Sequence, residues 1–266
     1  MKLLSDLLYD ARIREVRGTT HVAVEHIAVD SRKVQPLGLF VAIPGTVVDG
    51  HQFIEQAIES GAACIVCEHM PESTPEHVTV IQVKSSARAL GHIAAAFHDH
   101  PSRDMKVVAV TGTNGKTTAV TLLHQLYRLL DRKVGMLGTV ENRIVDRVIE
   151  ATHTTPDALS LQALLRKMAD AGGTHVFMEA SSHAIVQSRM TGTHLTGAVF
   201  TNITHDHLDY HGDFNSYIKA KKQLFDMLPA NAFAAVNADD AHAEDMVQDT
   251  KAKVVTMAVQ GVADER

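Results

Sequence analysis

A glycine-rich segment that contains a lysine followed by two threonines is the part of this sequence that points most directly to chemistry. It reads Thr-Gly-Thr-Asn-Gly-Lys-Thr-Thr over residues 111–118 and follows the apolar run 107–110. Backbone N–H groups of such a loop can surround phosphate oxygens, Lys116 can bring a positive charge to the β- and γ-phosphates, and Thr117 can offer a hydroxyl to Mg²⁺. The segment therefore predicts a nucleoside triphosphate site.

The glycine spacing differs from the common phosphate-loop pattern, which has a glycine five positions before the glycine of the Gly-Lys pair. Val110 stands at that position, and the loop glycines are Gly112 and Gly115. A strand-like run before the loop and a helix-period segment after it still give the arrangement that holds a triphosphate. The spacing points away from generic phosphate-loop NTPases.

A second candidate is the carboxylate of Glu179, which ends the apolar segment 175–179 and is followed by Ala-Ser-Ser-His. Ligands of open parallel sheets bind beyond the carboxyl ends of the strands. Mg²⁺ prefers oxygen ligands and is often held by few protein groups, so this carboxylate suits it. The structural alternative is a glutamate that caps a helix.

A third candidate is a polar cluster that follows the apolar run 198–201. It contains three histidines and two aspartates, namely His205, Asp206, His207, Asp209 and His211. Such a cluster could suggest zinc, but zinc ligands usually come from separate parts of a fold with defined outer partners. One histidine given to Mg²⁺, with the others structural, fits a nucleotide enzyme better. A solvated polar turn is the other reading.

A fourth candidate is Lys221, on a segment predicted to be helical over 214–227. Tyr217, Leu224 and Phe225 share its helix face. A lysine on a face meant for burial is costly unless it is paired or chemically modified. A buried stem with a solvated ammonium is the alternative.

Strands that alternate with helices would position these groups. Predicted strands lie at 24–29, 39–43, 62–67, 78–83, 106–110, 133–137, 175–179, 196–201, 233–236 and 253–258. Predicted helices lie at 51–60, 85–98, 117–131, 157–171, 214–227 and 240–248, with Thr155 and Pro156 as N-cap and first residue of the fourth. This order indicates an α/β fold with a mostly parallel sheet covered on both faces. The polar, Pro-interrupted stretch 99–104 predicts a boundary between a small domain at 1–103 and a second domain at 104–266.

Composition limits the classes of function. The 266 residues are 45% hydrophobic with a formal net charge of −6, which argues against a nucleic-acid binder that relies on a basic surface. No apolar run approaches the ~18 residues of a membrane span, and no signal-peptide core is visible, so we expect a cytoplasmic protein without a membrane partner. Cys64 and Cys67 lie on a predicted buried strand, where side chains three apart face opposite ways. This geometry does not suit a shared metal ion or a disulfide, so we expect buried thiols.

Taken together, these motifs resemble the Mur ligase family of ATP-dependent amide-bond ligases. The branch they resemble most adds the third amino acid to UDP-N-acetylmuramoyl-L-alanyl-D-glutamate in peptidoglycan synthesis. The residues that carry the resemblance are Asp30-Ser31-Arg32, Leu39-Phe40-Val41-Ala42, Gly45, Asp49-Gly50-His51, Gly112 to Thr118, Thr154-Thr155-Pro156, Glu179-Ala180-Ser181-Ser182-His183, Asp206-His207-Leu208-Asp209-Tyr210-His211-Gly212 and Ala220-Lys221.

The resemblance implies site residues and domain roles. It implies ATP binding by Gly112, Thr113, Asn114, Gly115, Lys116, Thr117 and Thr118. It implies Mg²⁺ binding by Thr117, Glu179, His207 and Lys221, the last as a carbamylated lysine, with catalytic roles for Lys116, Lys221 and His207. The uridine end of the substrate would contact Ser31 and Thr46, and the muramoyl dipeptide would contact His153, Thr154, Thr155, Ser181, Gln187 and Arg189. The domains would be an N-terminal UDP-MurNAc-binding domain and a phosphate-loop ATPase central domain.

The resemblance also implies a reaction and a larger protein. The D-Glu side-chain carboxylate attacks the γ-phosphate of ATP, and the amine of the incoming amino acid displaces phosphate from the acyl phosphate. Family members have a third domain, with the amino-acid pocket, and continue past residue 266. We therefore expect a truncated chain that does not complete turnover by itself, with a monomer as the default. Either meso-diaminopimelate or L-lysine could be the added amino acid.

Two alternatives belong to other classes. A folylpolyglutamate-synthase-like ligase shares the ATP loop and the modified lysine but has no dedicated uridine-binding domain, which the motifs around Ser31 and His51 argue against. A non-catalytic nucleotide-binding module would not need Lys116, Glu179, His207 and Lys221 together.

Overall fold

The computed structural model describes residues 1–45, 48–206 and 208–260, with the backbone alone for 208 and 209. The chain divides into two compact units. Unit 1 comprises residues 1–100 with Thr191–Thr193, and unit 2 comprises residues 101–190 with 194–266. The two domains and roles expected from the sequence stay predictions.

Unit 1 is built on a five-stranded sheet. Its strands and helices are β1 (Lys2–Leu3), α1 (Leu4–Leu7), β2 (Ile13–Arg17), β3 (Ala23–Val24), β4 (His26–Ala28), β5 (Gly38–Val41), α2 (Ile54–Glu59), β6 (Ala62–Cys67), β7 (Thr79–Val83) and α3 (Ser86–Phe97), with 3₁₀ turns at Ser31–Lys33 and Gly50–Phe53. The sheet order is β2-β7-β6-β5-β4, and β1 pairs separately with β3. Strands β4 to β7 are parallel, whereas β2 runs antiparallel to β7 at the edge.

Both cysteines lie in the core of unit 1. Phe40, Ile65 and Cys67 lie in one buried cluster. Both Cys64 and Cys67 are free and buried, as predicted. Burial raises the pKa of the thiols to about 12 and about 11, respectively, which makes both poor nucleophiles.

Unit 2 is built on an eight-stranded sheet. Its elements are β8 (Lys106–Thr111), α4 (Lys116–Leu129), β9 (Val134–Leu137), β10 (Glu141–Ile144), β11 (Arg147–Glu150), α5 (Ala158–Asp170), β12 (His175–Glu179), α6 (Ser182–Val186), β13 (Gly197–Phe200), α7 (Leu208–His211), α8 (Phe214–Asp226), β14 (Phe233–Asn237), α9 (Ala243–Val247) and β15 (Lys253–Met257), with a 3₁₀ turn at Pro101–Arg103. The order is β11-β10-β9-β12-β8-β13-β14-β15. In the part of this order that reads β9-β12-β8-β13-β14-β15, all neighbouring strands are parallel. Strands β10 and β11 form a hairpin that pairs antiparallel with β9 at the edge.

Helices cover both faces of this sheet, as the sequence predicts. Val107 and Ala109 belong to a buried cluster that includes Leu161 of α5 and Leu224 of α8. The intervening Val108 and Val110 belong to another cluster, which includes Val120 of α4. Because successive side chains of a strand face opposite ways, β8 must be apolar throughout to contact both helical layers. The α/β fold with mostly parallel sheets is confirmed.

Some predicted elements were wrong. Asp157, not Thr155, is the N-cap of α5, and its carboxylate accepts hydrogen bonds from the N–H groups of Leu159 and Ser160, both at 3.0 Å. The predicted strand 24–29 is interrupted at Glu25, whose N–H donates to the carbonyl oxygen of Leu37 at 3.0 Å.

The sequence analysis did not predict strand β2 or the hairpin β10–β11. Every residue of β2 is exposed, so the strand lacks the alternation that would indicate it. The hairpin β10–β11 is likewise short and polar. Among the described residues, no helix combines the length and apolar character that spanning a membrane requires.

Candidate active site

The glycine-rich loop between β8 and α4 depends on two left-handed glycines. Gly112 has a φ of +154° and Gly115 a φ of +84°. A Cβ on Gly112 would stand 1.9 Å from Oγ1 of Thr201, so this position also excludes a side chain on steric grounds. The predicted strand–loop–helix arrangement is therefore present, and its conformation requires glycine at both loop positions.

The loop is held by the segment that follows β13. The N–H of Thr113 donates to the carbonyl oxygen of Asn202 at 2.8 Å. The Asn202 side-chain amide bonds both the N–H and the carbonyl oxygen of Asn114, at 3.0 and 3.1 Å. The Thr201 hydroxyl donates to the same carbonyl at 2.6 Å. The loop shape is thus fixed by side chains that no sequence motif assigned.

Lys116 opens α4 and lies folded over the loop. Its ammonium donates to the carbonyl oxygens of Gly112 and Thr113, both at 2.9 Å. Burial lowers the pKa of Lys116, against the opposing effect of Glu179 and Asp206. A cation held by backbone carbonyls alone can move to an anionic ligand without breaking an ion pair.

Glu179 ends β12 at the carboxyl edge of the sheet and is 1% exposed. Its Oε1 accepts from the Thr117 hydroxyl at 2.9 Å and from the Thr139 N–H at 2.8 Å. Its Oε2 accepts from the Thr139 hydroxyl at 3.1 Å. The carboxylate does not cap a helix. It joins the end of β12 to the first turn of α4 and to the segment after β9, and Thr139 is a site neighbour that the sequence did not reveal.

Lys221 lies on α8 with a side chain that is 1% exposed. Its ammonium donates to the Gly112 carbonyl oxygen at 2.8 Å and lies 4.6 Å from the ring centroid of Tyr217. Burial, reinforced by the neighbouring charge of Lys116, lowers the pKa of Lys221 to about 7. The snorkelling alternative is wrong for this side chain, because the nitrogen itself is enclosed.

Two lysine ammonium groups therefore share one carbonyl oxygen, that of Gly112. In the part of the chain that the structure describes, neither forms an ion pair with a carboxylate. Two lysine cations this close together, one buried and one partly buried, form a positive centre beside the loop that Glu179 and Asp206 offset only in part. Such a centre favours a polyanionic ligand, or a chemical change that removes one of the charges.

The residues predicted to hold the muramoyl dipeptide lie near the end of β12, with one exception. The buried Thr155 hydroxyl donates to the Glu179 carbonyl oxygen at 2.8 Å, and Arg189 donates to the Thr155 carbonyl oxygen at 2.9 Å. Arg189 also forms two bonds to Oε1 of Gln187, at 3.0 and 2.7 Å. The Ser181 hydroxyl caps α6 by accepting from the N–H of Ala184.

The neighbouring threonine and histidine differ in their contacts. The Thr154 hydroxyl lies 3.1 Å from that of Thr139, which joins it to the Glu179 network. His153 is exposed and contacts only the adjacent Thr152 hydroxyl among the hydrogen bonds described.

Histidines of the polar cluster after β13 pack against aromatic rings. His205 stacks on Phe214 with ring centroids 4.4 Å apart, and the ring of Tyr210, within the same segment, lies 4.0 Å from that of His183, which follows β12. His211 is 2.9 Å from the Ser182 hydroxyl. Within residues 1–45, 48–206 and 208–260, no group of three or more His, Cys, Asp or Glu side chains is arranged to hold a metal ion. His207, predicted as a metal ligand, lies outside the described residues.

The carboxyl edge of the unit 1 sheet carries the residues predicted to hold uridine. The Ser31 hydroxyl donates to Oε1 of Gln56 at 2.7 Å. Nδ1 of His51 lies 2.7 Å from Oδ1 of Asp49, and Nε2 accepts from the Glu68 N–H at 2.8 Å. These bonds identify the neutral tautomer of His51 with its proton on Nδ1. Thr46 lies outside the described residues.

The sequence matches the Mur ligase middle domain over residues 110–266 and the Mur ligase family catalytic domain over residues 23–98. The chain belongs to the Mur ligase family. Both matched segments contain motifs on which the resemblance was based, so the predicted family is confirmed.

Individual Mur ligases are close in sequence and in structure. The UDP-N-acetylmuramoyl-L-alanyl-D-glutamate–2,6-diaminopimelate ligase of Cytophaga hutchinsonii is 53% identical over 98% of this chain and 54% of its own length. The ligase of the same name from Bacteroides thetaiotaomicron is 45% identical over the same shares. A solved structure of a ligase with this name superposes with a TM-score of 0.77 at 30% identity, covering 91% of this chain and 50% of the other. The chain spans about half the length of the curated relatives it matches.

Proposed function

We propose that this chain carries the ATP and UDP-substrate sites of a ligase that adds the third amino acid to UDP-N-acetylmuramoyl-L-alanyl-D-glutamate. The observation that carries the proposal is the group of charges around one loop: Glu179 bonded to Thr117, with Lys116 and Lys221 bonded to the Gly112 carbonyl oxygen. The names of relatives at 53% and 45% identity support the substrate, with diaminopimelate as the added amino acid.

The donor atoms fit ATP and Mg²⁺. Thr117 and Glu179 offer a hydroxyl and a carboxylate oxygen 2.9 Å apart, which are hard ligands of the kind Mg²⁺ prefers. His207 completes the predicted set. When bound, Mg²⁺ would offset negative charge on the phosphates and polarise the phosphoryl group. The backbone of residues 112–118 would contact the phosphates, and Lys116 would exchange its two carbonyl partners for phosphate oxygens.

Lys221 is suited to carbamylation. A pKa of about 7 leaves a large fraction of the amine neutral at physiological pH, and only the neutral amine reacts with CO₂. In that reaction the Nζ–C bond forms and Nζ loses a proton, so a cation becomes a carbamate anion. This change would relieve the repulsion between Lys221 and Lys116 and supply a further oxygen ligand for metal.

The proposed reaction places the D-Glu side-chain carboxylate against the γ-phosphorus of ATP, where an O–P bond forms and the bond to ADP breaks. The amine of the incoming amino acid then attacks the acyl carbon, loses a proton and expels phosphate. Lys116 would hold the charge that gathers on the transferring group. Thr154, Ser181, Gln187, Arg189 and His153 would orient the dipeptide, Thr155 would act through the Glu179 backbone, and Ser31 and Thr46 would hold the uridine end.

Calorimetry tests the proposal directly. UDP-N-acetylmuramoyl-L-alanyl-D-glutamate and a non-hydrolysable ATP analogue with Mg²⁺ are titrated separately into the chain, with a dihydropteroate ligand as the comparison. We expect saturable binding of the first two. Binding of the pteroate alone would favour the folylpolyglutamate-synthase-like alternative, and binding of nucleotide alone would leave a nucleotide-binding module. Absence of UDP-substrate binding would contradict the proposal.

A further inference from the structure

We propose that unit 1 has a second anion site, a cleft beside β7 that binds small phosphate-bearing molecules and is separate from the predicted uridine site. The cleft has a volume of about 320 Å³. Its polar lining consists of Asp10, Arg12, Lys84, Ser85, Arg88 and His92. Four of these side chains are basic, and one is acidic.

Strand register brings the basic residues together. Ile13 of β2 pairs with Val83 of β7, so the residues just outside this pair, Arg12 and Lys84, stand side by side at the edge of the sheet. Arg88 lies in the first turn of α3, whose N-cap residue Ser85 directly follows Lys84. Two strands and a helix thus contribute cations to a single concave surface.

The cations of the cleft are not held in ion pairs within the part of the chain that the structure describes. Within the described residues, Arg12, Lys84 and Arg88 form no ion pair, and their side chains form no hydrogen bond to the protein. By contrast, Arg17 of the same unit donates to the Pro71 carbonyl oxygen, and Arg32 pairs with Asp30. Asp10 balances only part of the charge. Three unpaired cations that converge on one cleft produce a local positive potential on a chain whose net charge is −6.

The side chain of His92 is also exposed to the positive potential of the cleft. It is half-buried in the cleft wall, and its pKa is lowered first by desolvation, against Asp10, and further by the charges of Arg88 and Arg12. The imidazole can therefore serve as a neutral hydrogen-bonding group in a wall whose charge comes from the arginines and Lys84.

The cleft is separate from the predicted uridine residues on the same sheet. Ser31 follows β4, at one end of the order β2-β7-β6-β5-β4, whereas Lys84 follows β7. Three strand spacings of about 4.8 Å put roughly 14 Å between these strand ends. Both lie at the carboxyl edge of the parallel strands, where ligands of such sheets bind.

The basic side chains of the cleft favour phosphate-bearing ligands. Two guanidinium groups can each donate paired N–H bonds to phosphate oxygens, and Lys84 adds a point charge. The volume suits a phosphate or diphosphate group with a small substituent rather than a polymer. This inference concerns a site apart from the proposed ligase chemistry and does not depend on it.

The test follows backbone amide signals of the ¹⁵N-labelled chain by NMR at low ionic strength, with inorganic pyrophosphate as the probe. We expect saturable shifts at Arg12 and at residues 84–88. Signals of residues 112–118 are followed separately, so that binding at the glycine-rich loop is not mistaken for binding at the cleft. No shift at residues 84–88 up to about 20 mM pyrophosphate, a concentration that would detect even a millimolar Kd, would overturn the proposal.

A charge-matched pair of variants tests the arginines. The double variant R12Q/R88Q should weaken pyrophosphate binding at the cleft about tenfold or more, the effect of losing ~1.4 kcal/mol. The double variant R14Q/R103Q removes the same charge from exposed positions outside the cleft and should change the affinity less than about twofold. Equal loss of pyrophosphate affinity in the two double variants would show that binding depends on the overall charge of the chain, and it would contradict a specific site. The UDP-substrate titration on R12Q/R88Q should be unchanged, and that titration in the wild type tests the ligase proposal independently.

Discussion

The carboxyl edges of the two parallel sheets both carry polar motifs, and they use their hydrogen bonds in different ways. In unit 2, charged side chains are buried or partly buried and bond to backbone carbonyls or hydroxyls, as Lys221, Lys116 and Glu179 do. In unit 1, the motif residues bond to one another across short loops, as Ser31 does with Gln56 and His51 does with Asp49.

The difference indicates what each edge is prepared for. Enclosed charges without counter-ions are costly in the free protein and are relieved when a ligand of opposite charge arrives. Side-chain pairs on loops, such as Ser31 with Gln56 and His51 with the Asp49 carboxylate, cost little because each polar group has a hydrogen-bond partner. They shape a surface that recognises a ligand by contacts. The unit 2 edge around the glycine-rich loop therefore stores unfavourable electrostatic energy, whereas the part of the unit 1 edge around Ser31 and His51 is close to its own optimum.

The largest expected effect comes from adding one methyl group to the loop of unit 2. Gly112→Ala places a Cβ 1.9 Å from the Thr201 hydroxyl at a φ of +154°. We expect loss of binding of the ATP analogue and a fall of about 3 kcal/mol in the free energy of unfolding, from strain and overpacking together. Calorimetry and urea denaturation measure the two.

Gly172→Ala is the matched control. Gly172 also has a positive φ, +77°, but the added Cβ would meet only the flexible end of Lys133. It should cost about 1 kcal/mol and leave nucleotide binding intact. Equal effects of the two substitutions would show that the close approach of Thr201 is unimportant.

The second prediction concerns the electrostatic cost of Lys221. Its folded-state pKa of about 7 lies below the ordinary lysine value of 10.5, so between these values the unfolded chain binds more protons than the folded chain. The stability of the wild type, relative to Lys221→Met, should therefore rise as pH increases from about 7 to about 10, by up to ~1.4 kcal/mol per pH unit. Urea denaturation in CO₂-free buffers measures it.

The exposed Lys219→Met, on the same helix, provides the comparison and should show no such gain. A difference between the wild type and Lys221→Met that stays constant over this pH range would mean that Lys221 is not electrostatically strained. Added bicarbonate should shift the wild type alone, with a mass increase of one CO₂ under gentle ionisation.

The third prediction separates charge from shape at Glu179. Glu179→Gln keeps an oxygen that can accept from the Thr139 N–H but removes the negative charge. Mg²⁺-dependent binding of the ATP analogue should weaken about tenfold or more, equivalent to ~1.4 kcal/mol. The exposed Glu150→Gln should leave it unchanged. Full Mg²⁺-dependent affinity in Glu179→Gln would remove this carboxylate from the proposed metal site.

The smallest expected effect lies in unit 1. His51→Phe removes the donor to Asp49 and the acceptor for the Glu68 N–H, and we expect a loss of about 1–2 kcal/mol of stability with ATP-analogue binding unchanged. The exposed His77→Phe is the control in the same denaturation series. A loss in ATP-analogue binding by His51→Phe would break the contrast between the two edges.

Much of the unit 2 site could be predicted from the sequence because single strands and helices carry it. The apolar run of β8, the glycine spacing and the carboxylate at the end of β12 are local signals, and each occurs where the local pattern indicated. Asp157 was missed because Thr155 and Pro156 gave a competing cap signal two residues earlier.

The rest depends on contacts between distant segments. Thr139 and Asn202 follow strands whose neighbours are set by the sheet order, and nothing in their own surroundings marks them as partners of Glu179 and Asn114. The enclosure of the Lys221 nitrogen likewise depends on α8 lying over the loop. Strand β2 has no apolar face, so only its pairing with β7 defines it.

Unit 1 is discontinuous in sequence, and this affects how it is made. Its helix α3 has Gly91 close to Thr191, where a Cβ would lie 2.4 Å from the Thr191 carbonyl oxygen, and Thr191–Thr193 belong to this unit. During synthesis, at roughly 5–20 residues per second, the ribosome needs on the order of 5–20 s after His100 to add these three residues. The surface of α3 around Gly91 is therefore not covered by these residues until more than half of unit 2 has been translated.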